Sequence, residues 1–126
     1  MTYTLNMVSN ASQSIQDLQR AIKEFVDERD WNQFHNPKDL AISLSLEASE
    51  VLEHFQWKKP EEIVEHLAAN KSEVGHELAD VLYWVLLMAN NLDIDLERMF
   101  IEKLQVNGKK YPIEKAKGRH SKYTEL

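Results

Sequence analysis

The nine residues from Val81 to Ala89 (Val-Leu-Tyr-Trp-Val-Leu-Leu-Met-Ala) carry no charge. A helical segment that is apolar all round has no face to give to water, so it must be buried on every side. That demand is heavy for a chain of 126 residues, which is long enough for one domain with a real core but too short for two. Only three Gly and three Pro occur, and no stretch alternates apolar and polar residues for long. The expected fold class is therefore all-α. Four helices of modest length have difficulty enclosing such a segment, whereas two copies packed together would do so. The expectation is a four-helix bundle completed by oligomerisation.

Periodicity and end signals place the helices. Ile15, Leu18, Ile22 and Phe25 form one stripe of a first helix from about Ser12 to Glu28. A polar loop, Asp30-Trp31-Asn32-Gln33-Phe34-His35, follows. Asn36-Pro37 reads as an N-cap with Pro at the first helical position, opening a second helix that runs to about Phe55. Trp57-Lys58-Lys59-Pro60 breaks it. A short helix from Pro60 to Ala69 comes next, then a third major helix capped by Ser72. Asn90 to Asp93 forms a turn, and Asp95 caps a last helix from about Leu96 to Asn107. The remainder of the single domain 1–126, residues 108–126, reads as a polar and mostly extended tail.

Two acidic pairs interrupt apolar helical sequence. Glu47 and Glu50 lie in Leu44-Ser45-Leu46-Glu47-Ala48-Ser49-Glu50-Val51-Leu52, and Glu77 and Asp80 in Glu77-Leu78-Ala79-Asp80-Val81-Leu82. Residues three apart share a helix face, so each pair points both carboxylates one way. The neighbours Leu46, Val51, Leu78 and Val81 suggest segments packed inside a bundle, where a carboxylate is costly unless paired or metal-bound. Four converging carboxylates would make a hard, all-oxygen site of the kind Mg²⁺ accepts. Spacing alone is a weak signal in a chain with 21 acids, and Glu62 with Glu65 reads as a solvated pair of the ordinary kind.

Net charge of −6 disfavours a nucleic acid polymer or an anionic membrane as partner. The absence of cysteine excludes disulfides, thiolate zinc sites and cysteine nucleophiles. Met1-Thr2-Tyr3-Thr4-Leu5-Asn6 lacks the basic start and apolar run of a signal peptide, and no apolar stretch approaches the roughly 20 residues of a membrane span. The expected location is cytoplasmic. Trp31, His35 and Trp57 fall in loops or at helix ends, where an aromatic ring serves either as a packing anchor or as a stacking surface for a base. Lys103 and Asn107 share a face of the last helix. His54, His66 and His76 read as surface or structural, and Asp39 as a first-turn acid serving the helix dipole.

In these residues the chain resembles the MazG-like, all-α nucleoside triphosphate pyrophosphatases, above all the dCTP pyrophosphatase branch and the small stand-alone MazG proteins. That family's motif is Glu-x-x-Glu, a gap, then Glu-x-x-Asp. Glu47-x-x-Glu50 and Glu77-x-x-Asp80 match it with 26 residues between. Further matching strings run in order along nearly the whole chain: Glu28-Arg29-Asp30-Trp31, Gln33-Phe34-His35, Phe55-Gln56-Trp57-Lys58, Lys103-x-x-x-Asn107, Lys110-Tyr111-Pro112 and Lys122-Tyr123-Thr124-Glu125-Leu126.

The resemblance implies hydrolysis of nucleoside triphosphates between the α and β phosphates. It implies Mg²⁺, with Mn²⁺ able to substitute, on Glu47, Glu50, Glu77 and Asp80. It also implies phosphate contacts from Lys103, Asn107 and Lys110, and a nucleotide pocket shaped by Trp31, Gln33, Phe34, His35, Trp57 and Trp84. A homodimer unit, paired into a tetramer, is implied as well. Two positions depart from the dCTP branch: Trp84 stands where a Tyr is common, just after Tyr83, and Ile22 stands where a His is found on the first helix. Both concern the base and sugar pocket, so the implied dCTP preference is accompanied by activity on other deoxynucleotides such as dATP. Two other readings compete. A ferritin-like di-iron protein needs two Glu-x-x-His motifs, and only Glu73-x-x-His76 is present. A non-catalytic helical nucleotide-binding regulator would not need the intact four-acid motif.

Overall fold

The computed structural model describes residues 13–126. The readings of Met1 through Ser12, including the leader-free start and the beginning of the first helix at Ser12, lie outside the described residues. Those residues form α1 (Ile15–Glu28), α2 (Pro37–Glu53), α3 (Pro60–Asn91), α4 (Leu96–Lys110) and α5 (Ile113–Ala116), with 3₁₀ turns at Asn32–Phe34 and Tyr123–Glu125 and no strand among them. They belong to two compact units, one ending at Ile94 and the other spanning Asp95–Leu126.

In the first unit the end signals act as the sequence suggests. Ser14 caps α1 by a reciprocal box: its Oγ accepts from the Asp17 amide at 3.1 Å, and Asp17 Oδ2 accepts from the Ser14 amide at 3.0 Å. Asn36 caps α2, its Oδ1 accepting from the Asp39 amide at 3.0 Å, and Pro37 takes the first helical position. The predicted loop after α1 contains a 3₁₀ turn, entered through Asp30 at φ 54. This turn brings Trp31 and His35 back over the helices. α2 stops two residues short of the predicted Phe55, because the amides of Phe55 and Gln56 both return to the Leu52 carbonyl at 2.9 Å.

The two helices predicted from Pro60 onward are one, α3, kinked at Asn70 (φ −127, ψ 20). The Asn70 side chain donates to the His66 carbonyl at 3.1 Å, so its amide satisfies a helix carbonyl at the bend. Ser72 accordingly lies inside a helix and caps nothing.

α3 packs against both α1 and α2. The core between them centres on Val26, Leu40 and Leu87, with Ile22, Phe25, Tyr83, Trp84 and Met88 packed around it. The expected stripe of α1 is half-buried, and Ala21 and Val26 complete it. The apolar segment is partly enclosed by the chain itself: Leu86, Leu87 and Ala89 are buried, whereas Leu82 is 40% exposed. Leu46 and Leu78, expected inside a bundle, are 61% and 54% exposed. The contacts of α3 with its neighbours use the faces bearing Leu40, Leu86 and Leu87 and leave these leucines outward.

The second unit corrects the expectation of an extended tail. α4 is capped by Asp95, whose Oδ1 accepts from the Arg98 amide at 3.2 Å, and continues through Gly108 to Lys110. Beyond it the chain turns back, so that Tyr111 and Tyr123 meet edge to face at 6.0 Å and Lys110 Nζ lies 4.9 Å from the Tyr123 ring. No helix among the described residues is long and apolar enough to cross a membrane.

Candidate active site

A cavity of about 670 Å³ opens between α1, the 31–35 turn, α2 and α3. One wall is hydrophobic and aromatic, with Ile22, Phe25, Trp31 and Tyr83; His35, Trp84, Glu47 and Asp80 line it too. Its volume lies within the range of roughly 300–1,000 Å³ typical of small-molecule sites. The aromatic wall is braced by edge-to-face contacts: Phe25 with Trp31 at 5.7 Å, Phe25 with Tyr83 at 6.3 Å, and His35 with Trp84 at 6.5 Å. The Arg29 guanidinium covers Phe25 at 3.7 Å. Burial pushes the Tyr83 phenol up from its ordinary value, so it stays neutral. His35 Nδ1 is buried and has no hydrogen-bond partner in the protein. A polar atom left unpaired at a cavity wall is available to a ligand.

The carboxylates stand on the facing helices α2 and α3. Trp84 Nε1 donates to Glu47 Oε1 at 3.4 Å, a long bond that ties the aromatic wall to the first acidic pair. The other oxygen, Glu47 Oε2, is buried without a partner. Glu50 is raised above the ordinary carboxylate value, first by a hydrogen bond with the Glu47 carboxyl, then by the Glu47 charge, by burial, and by Glu77 and Glu53. Three of the four motif acids are thus close enough to repel one another across the helix pair. Glu77 Oε2 approaches His54 Nε2 at 2.5 Å. The approach is off the axis of an aligned hydrogen bond, and this oxygen has no other partner.

Among the described residues no three acid or histidine side chains are gathered closely enough to hold an ion as they stand. The donor set nonetheless suits a hard divalent cation: every donor is oxygen, Glu47 Oε2 is buried and unsatisfied, and Glu50 carries the excess proton affinity that a cation would relieve.

Of the residues picked out by sequence, the structure gathers Trp31, His35, Trp84, Glu47 and Asp80 at one cavity, with Glu50 and Glu77 adjoining through their charges. Gln33, Phe34 and Trp57 do not line it. Gln33 donates to the Asp30 carbonyl at 2.9 Å, Phe34 is exposed, and the Trp57 ring is 87% exposed on the turn before α3. Asp39 serves the α2 N-terminus and accepts from Asn36 Nδ2 at 2.6 Å. Lys103, Asn107 and Lys110 lie on α4 of the second unit, Asn107 half-buried and Lys103 exposed. Sequence reasoning passed over His54 and His66 as surface or structural. His54 closes α2 four residues after Glu50, a spacing that could have flagged it; it reaches Glu77, and His66 is partly buried against it.

The sequence profile of the MazG-like family matches residues 42–126. The dCTP pyrophosphatase 1 of Rattus norvegicus is 36% identical over 115 residues, which cover 90% of this chain and 68% of that protein. The dCTP pyrophosphatase 1 of Homo sapiens is 35% identical over the same shares. Among solved structures, a pyrophosphatase from Archaeoglobus fulgidus DSM 4304 superposes with a TM-score of 0.73 at 36% identity, covering 83% of this chain and 98% of that one.

Proposed function

The chain belongs to the MazG-like family, and on that premise we propose that it is a nucleoside triphosphate pyrophosphohydrolase. In this reading it cleaves the α–β phosphoanhydride of deoxynucleotides, dCTP first, with some activity on others such as dATP, and so cleans the cytoplasmic nucleotide pool. One observation carries it: acids from both motif pairs, Glu47 and Asp80, line the same cavity as Trp31, His35 and Trp84. A base and a polyphosphate can thus be held side by side.

Glu47, Glu50, Glu77 and Asp80 would hold Mg²⁺, or Mn²⁺ in its place. Held there, the cation would offset the phosphate charge and lower the pKa of a water. The remaining work belongs to the chain. Trp31 and Trp84 offer ring faces and edges to the base, and His35 Nδ1 is an unpaired atom that can read its edge. Glu50, on the α2 face it shares with Glu47, is assigned as the acceptor of the proton from the attacking water. No covalent intermediate is required. Trp57 and the α4 residues Lys103, Asn107 and Lys110 enter as base and phosphate contacts on the strength of the family resemblance.

The outward leucines Leu46 and Leu78 support a homodimer unit, paired further into a tetramer. A light-scattering mass near the 14.7 kDa of one chain would exclude that assembly. For the reaction, the test is the product formed from dCTP with and without Mg²⁺. Pyrophosphate plus dCMP, abolished by chelator, is expected. Orthophosphate as first product would mean γ-phosphate cleavage and would overturn the reading.

A further inference from the structure

Four side chains form an unbroken line from the α3 kink to a motif acid. Asn70 Nδ2 lies 3.2 Å from His66 Nδ1, His66 Nε2 lies 2.7 Å from His54 Nδ1, and His54 Nε2 lies 2.5 Å from Glu77 Oε2. The direction of the protons along it follows from its first member. Asn70 Nδ2 also donates to the His66 backbone carbonyl at 3.1 Å, and a carbonyl only accepts, so this atom is the amide nitrogen and not the oxygen. Its second hydrogen then faces His66 Nδ1, which must accept. A neutral His66 therefore carries its proton on Nε2 and donates to His54 Nδ1. His54 in turn carries its proton on Nε2, the nitrogen that stands 2.5 Å from Glu77 Oε2. Burial, with Lys58 and His54 nearby, holds the His66 imidazole below its ordinary value, which agrees with a neutral ring.

We propose that His54 is a positioning residue for Glu77, its Nε2 edge held against one carboxylate oxygen, and that His66 and Asn70 lock it in the Nε2–H tautomer. The inference rests on the reading of Glu77 as a cation ligand. Its logic is that of outer-shell groups at metal sites generally: a carboxylate held by one oxygen offers the other at a fixed angle. The kink at Asn70 has a use in this account, since it gives the Asn70 amide both a helix carbonyl and an imidazole to serve.

The test needs no turnover. Long-range ¹H–¹⁵N spectra of the labelled protein report which ring nitrogen is protonated, and Mn²⁺ uptake followed by electron paramagnetic resonance reports the site. We expect the Nε2–H tautomer at both His54 and His66. His54→Phe should weaken Mn²⁺ binding about ten- to a hundredfold while circular dichroism stays unchanged. His54→Gln, whose amide can place a donor where Nε2 stood, should recover most of it. Asn70→Asp offers His66 only acceptors, so it should reverse or charge the line and weaken Mn²⁺ binding with His54 itself intact. An Nδ1–H tautomer at His54, Mn²⁺ binding by His54→Phe equal to wild type, or no Mn²⁺ uptake by the wild type would each overturn the proposal. A wild type that binds Mn²⁺ in a His54-dependent way yet releases no pyrophosphate from dCTP would sink the proposed function and leave the positioning role standing.

Discussion

Replacing Trp84 separates two tasks that this side chain performs at once. Trp84→Phe keeps an aromatic ring against the Val26–Leu40–Leu87 core and beside His35 but removes the indole N–H that reaches Glu47 Oε1 at 3.4 Å. Hydrogen bonds to charged groups contribute roughly 1.5–3 kcal/mol at good geometry. This one is longer than the usual N–H···O range, so about 1 kcal/mol, or some fivefold, is the fair expectation. Glu47 would then lose its tie to the aromatic wall, with Oε2 already unpaired. The loss should appear in the Mg²⁺ concentration needed for half-maximal rate, with KM for dCTP little changed. Trp84→Ala removes the ring as well. Stacking adds roughly 1–3 kcal/mol per base, bringing the total to about 2–4 kcal/mol and kcat/KM down by roughly thirty- to a thousandfold, now with KM affected. Steady-state rates over a grid of dCTP and Mg²⁺ concentrations, with melting temperatures to confirm folding, measure both. Should both variants lose the same amount, or stay within twofold of wild type, Trp84 does not join the two halves of the site.

Glu50→Gln should lower turnover by orders of magnitude while changing the pH response of the metal-free protein. Because the Glu50 carboxyl is raised above 4.5 in the folded chain, its stabilising proton is fully held below that value and is lost as pH climbs through the raised value. In chelator, the melting temperature of wild type relative to the variant should thus decline as pH rises. Leu40→Ala, at a residue only 1% exposed, should cost about 2–4 kcal/mol and lower Tm by roughly 10 °C or more; a shift of a degree or two would mean the Val26–Leu40–Leu87 cluster is not the core. Trp57→Ala should weaken nucleotide binding about ten- to a hundredfold with metal affinity unchanged, and binding equal to wild type would remove Trp57 from the pocket. Deoxynucleotides should exceed their ribose counterparts in kcat/KM; equal values for dCTP and CTP would place the sugar outside the cavity.

Much of the fold could be read from local chemistry. The Asn36-Pro37 and Asp95 caps act at the residues where the sequence puts them, because an N-cap is decided by a side chain and an amide three positions away. The α3 kink was visible as an interruption near Asn70 but misjudged as a gap between helices. Composition marks a weak helical residue, whereas continuity depends on whether the side chain can repair the backbone, as Asn70 does. The tail was misjudged for a related reason. Its charge suggests solvation, but the pairing of Tyr111 with Tyr123 and the placement of Lys110 over a ring are contacts between residues a dozen apart.

The acids show where sequence reasoning reaches its limit at the site itself. Spacing of three puts Glu47 with Glu50 and Glu77 with Asp80 on shared faces, and the structure does bring acids of both pairs to one cavity. The inference that apolar neighbours bury them failed at Leu46 and Leu78, which are exposed, because apolar content reports that a face will be covered without reporting by what. The histidines failed differently. His54 and His66 are twelve residues apart on different helices, and only the reversal at Trp57-Lys58-Lys59 sets them 2.7 Å apart. Periodicity lists which side chains share a helix face, so it recovers a motif lying along one helix. A support that crosses from the end of α2 to α3 has no period, and only the folded chain discloses it.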